Sequence, residues 1–355
     1  MHYTTFLARL AAVFYLLLAG TGSNAWGESM SSNPEAAIEM PAMWEYTAPL
    51  ITPEHRATNR SFAQKDPSVV FYQGRWHVFM TIKSINGTRI EYVSFDNWES
   101  ADKAPRHVLM LADSEYYAAP QVFYFTPQKK WYLIYQLGMP GRKNMQIAFS
   151  TTQNINDPDS WTKAISAFRT DDEDPRHQGG LDYWVICDQQ RAYLFFTSLD
   201  GKLWRMWTRL EDFPYGFGHL KIALQADIFE ASHTYKLKGM DSYLTIIEAN
   251  PDSNRYYKAY LADRLDGAWV PLADTREDPF ASDANIRPAD SVSVWTDNIS
   301  HSELIRAGHD QTMVVDAGNL QLVFQGALEK EKTSGYGRIP WRIGILTPTG
   351  QSAQK

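Results

Sequence analysis

Five segments of the chain repeat one pattern, and this repetition limits the possible folds more than any other feature of the sequence. Each segment opens on a distinctive residue, continues as a run rich in β-branched and aromatic residues, turns, and enters a second such run. The opening residues are Asp66, Ala119, Asp182, Glu230 and His301. They lie roughly 45 to 70 residues apart, which is enough for about four short strands in each unit. Four-stranded units in a ring form a β-propeller, so the pattern predicts an all-β, five-bladed propeller.

The length of the chain agrees with a ring of repeats. The chain has 355 residues, and no Gly/Ser/Pro-rich linker divides it. That length is near the upper limit for a domain with one hydrophobic core. Repeated units are not bound by this size limit, because each unit packs only on its neighbours. A β-sandwich, or two stacked all-β domains, is the alternative that the strand pattern leaves open. We expect one catalytic propeller domain over residues 44–348, with a C-terminal tail over residues 349–355.

The N-terminus predicts export from the cell. Arg9 precedes an apolar run over residues 10–19, and a small, polar stretch then ends at Ala25. This order fits a cleaved leader, whereas the run is short for a transmembrane helix. An uncleaved membrane anchor is the alternative. We expect residues 1–25 to be a signal peptide and residues 26–43 an N-terminal extension, so that the mature protein is secreted, periplasmic or extracellular, with no membrane attachment.

The charge of the chain argues against one class of partner. The formal net charge is −7, and no long basic run occurs. A protein that binds nucleic acid normally carries a basic stripe that neutralises phosphates. We therefore expect no nucleic-acid partner, whereas a neutral sugar polymer requires no charged surface.

Carboxylates occupy three of the five repeat openings, at Asp66, Asp182 and Glu230. In a propeller, residues that open the innermost strands converge on one mouth of the central axis. Carboxylates that share a small space repel, so at least one should have a raised pKa. Glycoside cleavage uses such a set, with an acid for the leaving oxygen and a base or nucleophile opposite. Each residue could instead be a turn residue or a surface charge, but their shared position favours a site.

Six ordered strings carry a more specific signal than the repeats. The strings are Lys65–Val70, Ala118–Phe125, Asp182–Asp188, Phe229–Ser232, Ile299–Arg306 and Pro340–Leu346. With their spacing over residues 44–347, they resemble glycoside hydrolase family 62, the α-L-arabinofuranosidases that act on arabinoxylan. The resemblance implies a five-bladed propeller that removes arabinofuranosyl groups from xylan with inversion of configuration. The implied partner is arabinoxylan or a related arabinose-substituted polysaccharide, and we expect a monomer.

The resemblance also implies a role for each carboxylate. Asp66 looks like the general base that activates water, and Glu230 looks like the general acid that protonates the departing xylose oxygen. Asp182 resembles the third carboxylate, which orients the sugar and keeps the pKa of the acid raised. Inversion implies that acid and base lie roughly 6.5–9.5 Å apart, with room for a water molecule.

Three supporting residues follow from the same resemblance. Lys65 looks like a contact for arabinose hydroxyls, although alone it would be interpreted as a solvated lysine at a strand edge. Tyr336 resembles a pocket tyrosine that packs on or bonds to the sugar, with a core aromatic as the alternative. His301 looks like the axial histidine that helps to hold a calcium ion in the central channel, or else a core histidine. The sequence shows no second protein ligand, so water would complete the six to eight oxygens that calcium takes.

Two segments depart from the family pattern. Glu115–Tyr117 stands where many relatives carry an arginine before the Ala-Ala-Pro string, and Asp171–His177 is also individual. We expect both in loops that shape the outer cleft. Three other functions stay open, namely a family 43-type β-xylosidase or arabinanase, a non-catalytic sugar-binding propeller and a protein-interaction scaffold. The strings Trp184–Asp188 and Phe229–Ser232 favour family 62.

Overall fold

The computed structural model describes residues 38, 40–139, 145–168, 180–251, 254–333 and 335–350. The predicted signal peptide, nearly all of the predicted N-terminal extension and the segment Asp171–His177 lie outside these residues. No helix in the described ranges is long and apolar enough to cross a membrane. The boundaries predicted near the two ends of the chain therefore stay predictions.

The described chain is built almost entirely of short strands. In chain order, they are β1 (Trp44–Tyr46), β2 (Ser61–Tyr72), β3 (Arg75–Ser84), β4 (Gly87–Phe95), β5 (Arg106–Val108), β6 (Tyr117–Phe125), β7 (Lys130–Leu137), β8 (Gln146–Thr152), β9 (Ile165–Ser166), β10 (Leu181–Cys187), β11 (Arg191–Thr197), β12 (Lys202–Arg209), β13 (Gly218–Gln225), β14 (Glu230–Leu237), β15 (Tyr243–Ala249), β16 (Tyr256–Ala262), β17 (Val270–Ala273), β18 (Ile286–Pro288), β19 (Ser300–Leu304), β20 (Val314–Val315), β21 (Leu322–Gly326) and β22 (Arg342–Pro348). Short 3-10 helices span Trp98–Lys103, Thr126–Gln128, Pro158–Ser160, Leu210–Asp212, Ala317–Asn319, Glu329–Glu331 and Tyr336–Arg338.

These strands form five sheets, which are the blades of a propeller. The first three blades are β2–β5, β6–β9 and β10–β13, each in chain order. The fourth has the order β17-β16-β15-β14-β20, and the fifth has the order β18-β1-β22-β21-β19. The innermost strands β2, β6, β10, β14 and β19 contact one another in sequence, and β19 contacts β2. The predicted five-bladed propeller is confirmed, and the β-sandwich alternative is wrong.

The first strand closes the ring by completing the last blade. β1 pairs antiparallel with β22, with Glu45 opposite Thr347. The indole of Trp44 is buried, and its Nε1 donates a hydrogen bond of 2.8 Å to the carbonyl of Phe280. The pairing of β1 with β22, which come from the N-terminal and C-terminal parts of the described chain, therefore closes the ring of blades.

A bulge interrupts every innermost strand at the same end of the axis. In each strand one residue adopts a positive φ, and these residues are Asp66 (50°), Ala119 (51°), Asp182 (55°), Ala231 (54°) and His301 (28°). The ladders to the neighbouring strands shift register at these positions. Bulges redirect side chains, and left-handed non-glycine residues cost about 1–3 kcal/mol each, so they gather where function requires them.

The bulges correct the sequence alignment of the five openings. In the fourth blade the left-handed residue is Ala231, not Glu230. Glu230 instead precedes the bulge, at the position that Lys65 holds in the first blade. The alignment was wrong by one residue there, because it followed the acidic side chain rather than the backbone conformation.

Candidate active site

The bulged ends of the innermost strands surround the side chain of His301. Its Nδ1 lies 3.2 Å from Oδ1 of Asp66 and 3.8 Å from Oδ2 of Asp182. The backbone N–H of Ala231, the residue after Glu230, donates a hydrogen bond of 2.8 Å to Oδ2 of Asp182. Asp66 and Asp182 are 5% and 7% exposed, and the Glu230 side chain is 16% exposed. Three residues far apart in sequence thus line one small pocket.

Asp66 is held as an anion by the cations around it. Oδ1 of Asp66 lies 3.7 Å from Nζ of Lys65, and the backbone N–H of Asp66 donates to Oε1 of Gln325 at 2.8 Å. Burial alone would raise the pKa of Asp66, but Lys65 and His301 outweigh burial and lower it. Burial would likewise lower the pKa of Lys65, but Asp66, Tyr336 and Glu230 together outweigh burial and raise it. The two side chains form a buried, charged pair.

Asp182 is the carboxyl that holds a proton near neutral pH. Burial raises its pKa, His301 opposes the rise, and the negative charges of Glu230 and Asp66 add to it, which gives a pKa of about 7. A group that interacts so strongly with its neighbours titrates with them rather than alone. The pocket therefore retains one proton among its carboxyls under conditions in which an isolated aspartate would be ionised.

The raised pKa of Asp182 predicts a gain in stability when Asp182 is replaced by asparagine. An ordinary aspartate in the unfolded chain ionises near pH 4, so between about pH 4 and 7 the native state binds more protons. The contribution of Asp182 to stability therefore falls as the pH rises through that window. We expect Asp182→Asn to be more stable than the parent at pH 8, by on the order of a few kcal/mol, and to gain less at pH 5.

Chemical unfolding at the two pH values measures this difference. The variant Asp159→Asn, which changes an exposed aspartate, should show no such pH dependence. A parent protein that is as stable as Asp182→Asn at pH 8 would contradict the assigned burial cost.

Glu230 belongs to a charged network that the sequence did not reveal. Nη1 of Arg255 lies 2.7 Å from Oε1 of Glu230 and 2.9 Å from Oγ of Ser300, and it also contacts Oε1 of Glu248. Glu248 is fully buried, and its Oε2 accepts a hydrogen bond of 2.8 Å from the backbone N–H of His301. A buried ion is tolerated only with partners of this kind. Arg255 and Glu248 therefore hold Glu230 and the His301 strand in fixed positions.

Tyr116 reaches the pocket from the start of the second blade. Its hydroxyl accepts a hydrogen bond of 2.9 Å from Nε2 of Gln136, whose Oε1 accepts the backbone N–H of Asp182 at 3.1 Å. Burial, followed by the Asp66 carboxylate, raises the pKa of Tyr116 to about 12. Tyr117 opens β6 and is fully buried. The prediction that Tyr116 and Tyr117 lie in a loop of the outer cleft is thus wrong, because β6 begins at Tyr117, before the Ala-Ala-Pro string.

Tyr336 forms part of the pocket wall rather than the core. Tyr336 is 52% exposed. Nζ of Lys65 lies 4.7 Å from the ring centroid, and Cζ of Arg255 lies 5.7 Å from it. A half-exposed aromatic ring beside two cations is a surface on which a sugar ring can pack.

The calcium ion implied by the family resemblance does not fit the side chains around His301. Burial would lower the pKa of His301, but Asp66 and Asp182 outweigh burial and raise it, which favours the imidazolium. An imidazolium donates hydrogen bonds and offers no lone pair to a metal. Within the described ranges, no cluster of three or more His, Cys, Asp or Glu has the geometry of a metal site. The protonated state favoured for His301 thus disagrees with the family-implied calcium site, although calcium binding itself stays a prediction that calorimetric titration with calcium tests.

Comparisons with known proteins agree on one family. The model of Glycosyl hydrolase family 62 matches residues 43–347. The chain is 37% identical over 316 residues to Alpha-L-arabinofuranosidase C of Cellvibrio japonicus (strain Ueda107), covering 87% of this chain and 47% of that protein. The chain thus spans about half the length of the curated relative that it matches.

Solved structures give the same result. The catalytic domain of the Coprinopsis cinerea GH62 alpha-L-arabinofuranosidase is 37% identical, with a TM-score of 0.79 and coverage of 87% of this chain and 98% of that one. A GH62 hydrolase in complex with xylotriose is 34% identical, with a TM-score of 0.77 and coverage of 86% and 97%. A GH43 endo-arabinanase from Bacillus licheniformis, 15% identical with a TM-score of 0.55, shares the fold alone.

Proposed function

The chain belongs to glycosyl hydrolase family 62, and on that premise we propose that it is an α-L-arabinofuranosidase that removes arabinofuranosyl side groups from xylan with inversion. One observation carries the proposal. Asp66, Asp182 and Glu230 come from three different blades and line one buried pocket beside cations and an exposed aromatic ring. A lectin or an interaction scaffold has no use for such a costly arrangement of charge.

In the proposed reaction, Asp66 and Glu230 act on opposite sides of the anomeric carbon. Asp66 accepts a proton from a water molecule, whose oxygen bonds to that carbon. The bond from the carbon to the xylose oxygen breaks, and its electron pair leaves with the oxygen, which takes a proton from Glu230. The low pKa of Asp66 suits a base that must be ionised before each turnover.

Asp182 and Lys65 serve the same reaction without exchanging protons with the reacting atoms. Asp182, whose Oδ2 accepts a hydrogen bond from the backbone N–H of Ala231, orients the sugar, and when it is ionised its charge opposes a second negative charge on Glu230. Lys65, fixed against Asp66 and Tyr336, presents an ammonium donor to the hydroxyl groups of the arabinose.

Product analysis tests the proposal directly. Incubation with arabinoxylan, debranched arabinan and xylobiose should release arabinose from the first and nothing from the other two. Proton NMR of the first product should show the β-anomer, because inversion converts an α-furanoside into the β-sugar. Release of xylose from xylobiose or of arabinose from debranched arabinan would favour a family 43-type specificity. Binding without any release would favour a lectin, and an α-anomer would contradict inversion.

We also propose that the protein is exported and acts as a monomer. The leader-like N-terminus supports export, and the closed ring of five blades in a single chain supports a monomer. N-terminal sequencing of the mature protein and its elution volume in gel filtration test the two statements.

A further inference from the structure

Two arginines lie near one aromatic ring next to the pocket wall. Phe62 lies on β2, three residues before Lys65, and Cζ of Arg338 lies 4.1 Å from its ring centroid. Cζ of Arg60 lies 5.9 Å from the same centroid. Both arginines are exposed, and Phe62 is partly buried. We call Arg60, Phe62 and Arg338 the arginine rim.

The arginine rim is continuous with the pocket. Arg338 ends the 3-10 helix that Tyr336 begins, and this helix contacts β2. Tyr336 lies against Lys65, the residue before Asp66. The rim thus lies one helical turn from the pocket wall, within reach of a polymer whose arabinose side group enters the pocket.

Among the described residues, no acidic side chain pairs with the charges of the rim. The chain carries a net charge of −7, and nearby arginines have partners: Arg56 pairs with Glu54 and Glu91, and Arg342 pairs with Glu331. Within the described part of the chain, neither Arg60 nor Arg338 forms an ion pair with a carboxylate. Two guanidinium groups that lie near one ring repel each other, and an anion bound beside both would relieve that repulsion.

We propose that the arginine rim binds the carboxylate of a uronic acid residue on the same polysaccharide, which rests on the proposed function. A guanidinium matches a carboxylate with two parallel hydrogen bonds, and the Phe62 ring supplies an apolar surface beside it. The pocket selects the arabinose, and the rim selects polymers that carry a negative charge near it. Glucuronate and galacturonate share this chemistry, and the substrates used in the test separate them.

Kinetics on matched polymers test the proposal. The double variant Arg60→Gln/Arg338→Gln keeps much of the side-chain length and removes both charges. On arabinoxylan that carries glucuronate, its KM should rise roughly three- to tenfold with kcat unchanged, as for the loss of two exposed ion pairs. On the same polymer after reduction of the carboxyl groups, its KM should equal that of the parent. Competition of the arabinoxylan reaction with free oligogalacturonate and with a glucuronate-substituted xylo-oligosaccharide measures whether galacturonate is preferred over glucuronate.

Two further measurements separate the rim from the catalytic function. Calorimetry with a glucuronate-substituted xylo-oligosaccharide that lacks arabinose should show binding that is roughly three- to tenfold weaker for the double variant than for the parent, independent of turnover. The variant Arg209→Gln, which changes an exposed arginine paired with Asp212, should behave as the parent. The proposal for the rim is wrong if parent and double variant have equal KM values on both polymers. It is also wrong if the KM of the double variant rises by the same factor on both polymers. If the parent releases no arabinose from either polymer, the proposed function is refuted instead. Calorimetry then still shows whether the arginine rim binds the uronate.

Discussion

Replacement of Glu230 by glutamine should lower kcat/KM on arabinoxylan by about 10²–10⁴-fold and leave the propeller folded. Glutamine has nearly the same shape as glutamate, and its amide oxygen can still accept the hydrogen bond that Arg255 donates at 2.7 Å. What it lacks is a proton that it can transfer to the xylose oxygen. Xylose is a poor leaving group without that proton, so the polymer should react slowly.

A substrate with a good leaving group isolates this role from general damage. The aryl group of 4-nitrophenyl α-L-arabinofuranoside departs as a stable anion and needs little help from an acid. The loss caused by Glu230→Gln should therefore be much smaller on the aryl substrate than on arabinoxylan. The variant Glu211→Gln, which changes a well-exposed glutamate, is the matched control and should lose nothing on either substrate. Equal losses on both substrates would show that Glu230 positions the sugar rather than protonates the leaving oxygen.

The repeated openings predicted the propeller because each blade repeats the same physical problem. An innermost strand must pack on two neighbours and present one residue to the axis, so its composition is constrained in every unit. The closing strand β1 was not foreseen as part of the last blade. With three residues, Trp44–Tyr46, it is too short to show a period of its own, and its partner β22 lies at the other end of the chain. Its pairing depends on the tertiary fold, so no local pattern in the sequence predicts it.

The sequence predicted the residues of the candidate site that lie on the innermost strands. The described structure brings Lys65, Asp66 and Asp182 to one pocket, and Glu230, His301 and Tyr336 line it with them. Arg255, Glu248, Gln136 and Tyr116 were missed. They approach the pocket from neighbouring strands or from the ends of strands, where no repeat marks their position. Glu248 did carry a signal, since a charged residue in the apolar strand Tyr243–Ala249 requires a buried partner.

The added residues change the electrostatics of the site. Four carboxyls, at Asp66, Asp182, Glu230 and Glu248, share the site with three cations. The cations are Lys65, His301 and Arg255, so one carboxyl is in excess. One bound proton makes this buried region neutral. In the absence of substrate, the raised pKa of Asp182 favours that proton on Asp182. Catalysis requires the proton on Glu230 at the moment of cleavage. The excess negative charge makes a proton available to the pocket, while Lys65 and His301 direct it away from Asp66.

Replacement of Asp66 by asparagine should lower kcat/KM by at least about 10²-fold, and by the same factor on arabinoxylan and on the aryl substrate. Water must lose a proton whichever group departs, so the loss of the base cannot depend on the leaving group, in contrast to Glu230→Gln. The lowered pKa of Asp66 also predicts a moderate loss of stability above about pH 4, because Lys65 and His301 lose their anionic partner. Assays below the unfolding midpoint of the variant separate that loss from the catalytic one, and Asp159→Asn serves as the unaffected control. If Asp66→Asn retained activity on the aryl substrate alone, the base would have to be sought elsewhere, and Asp182, which also contacts His301, would be the next residue to replace.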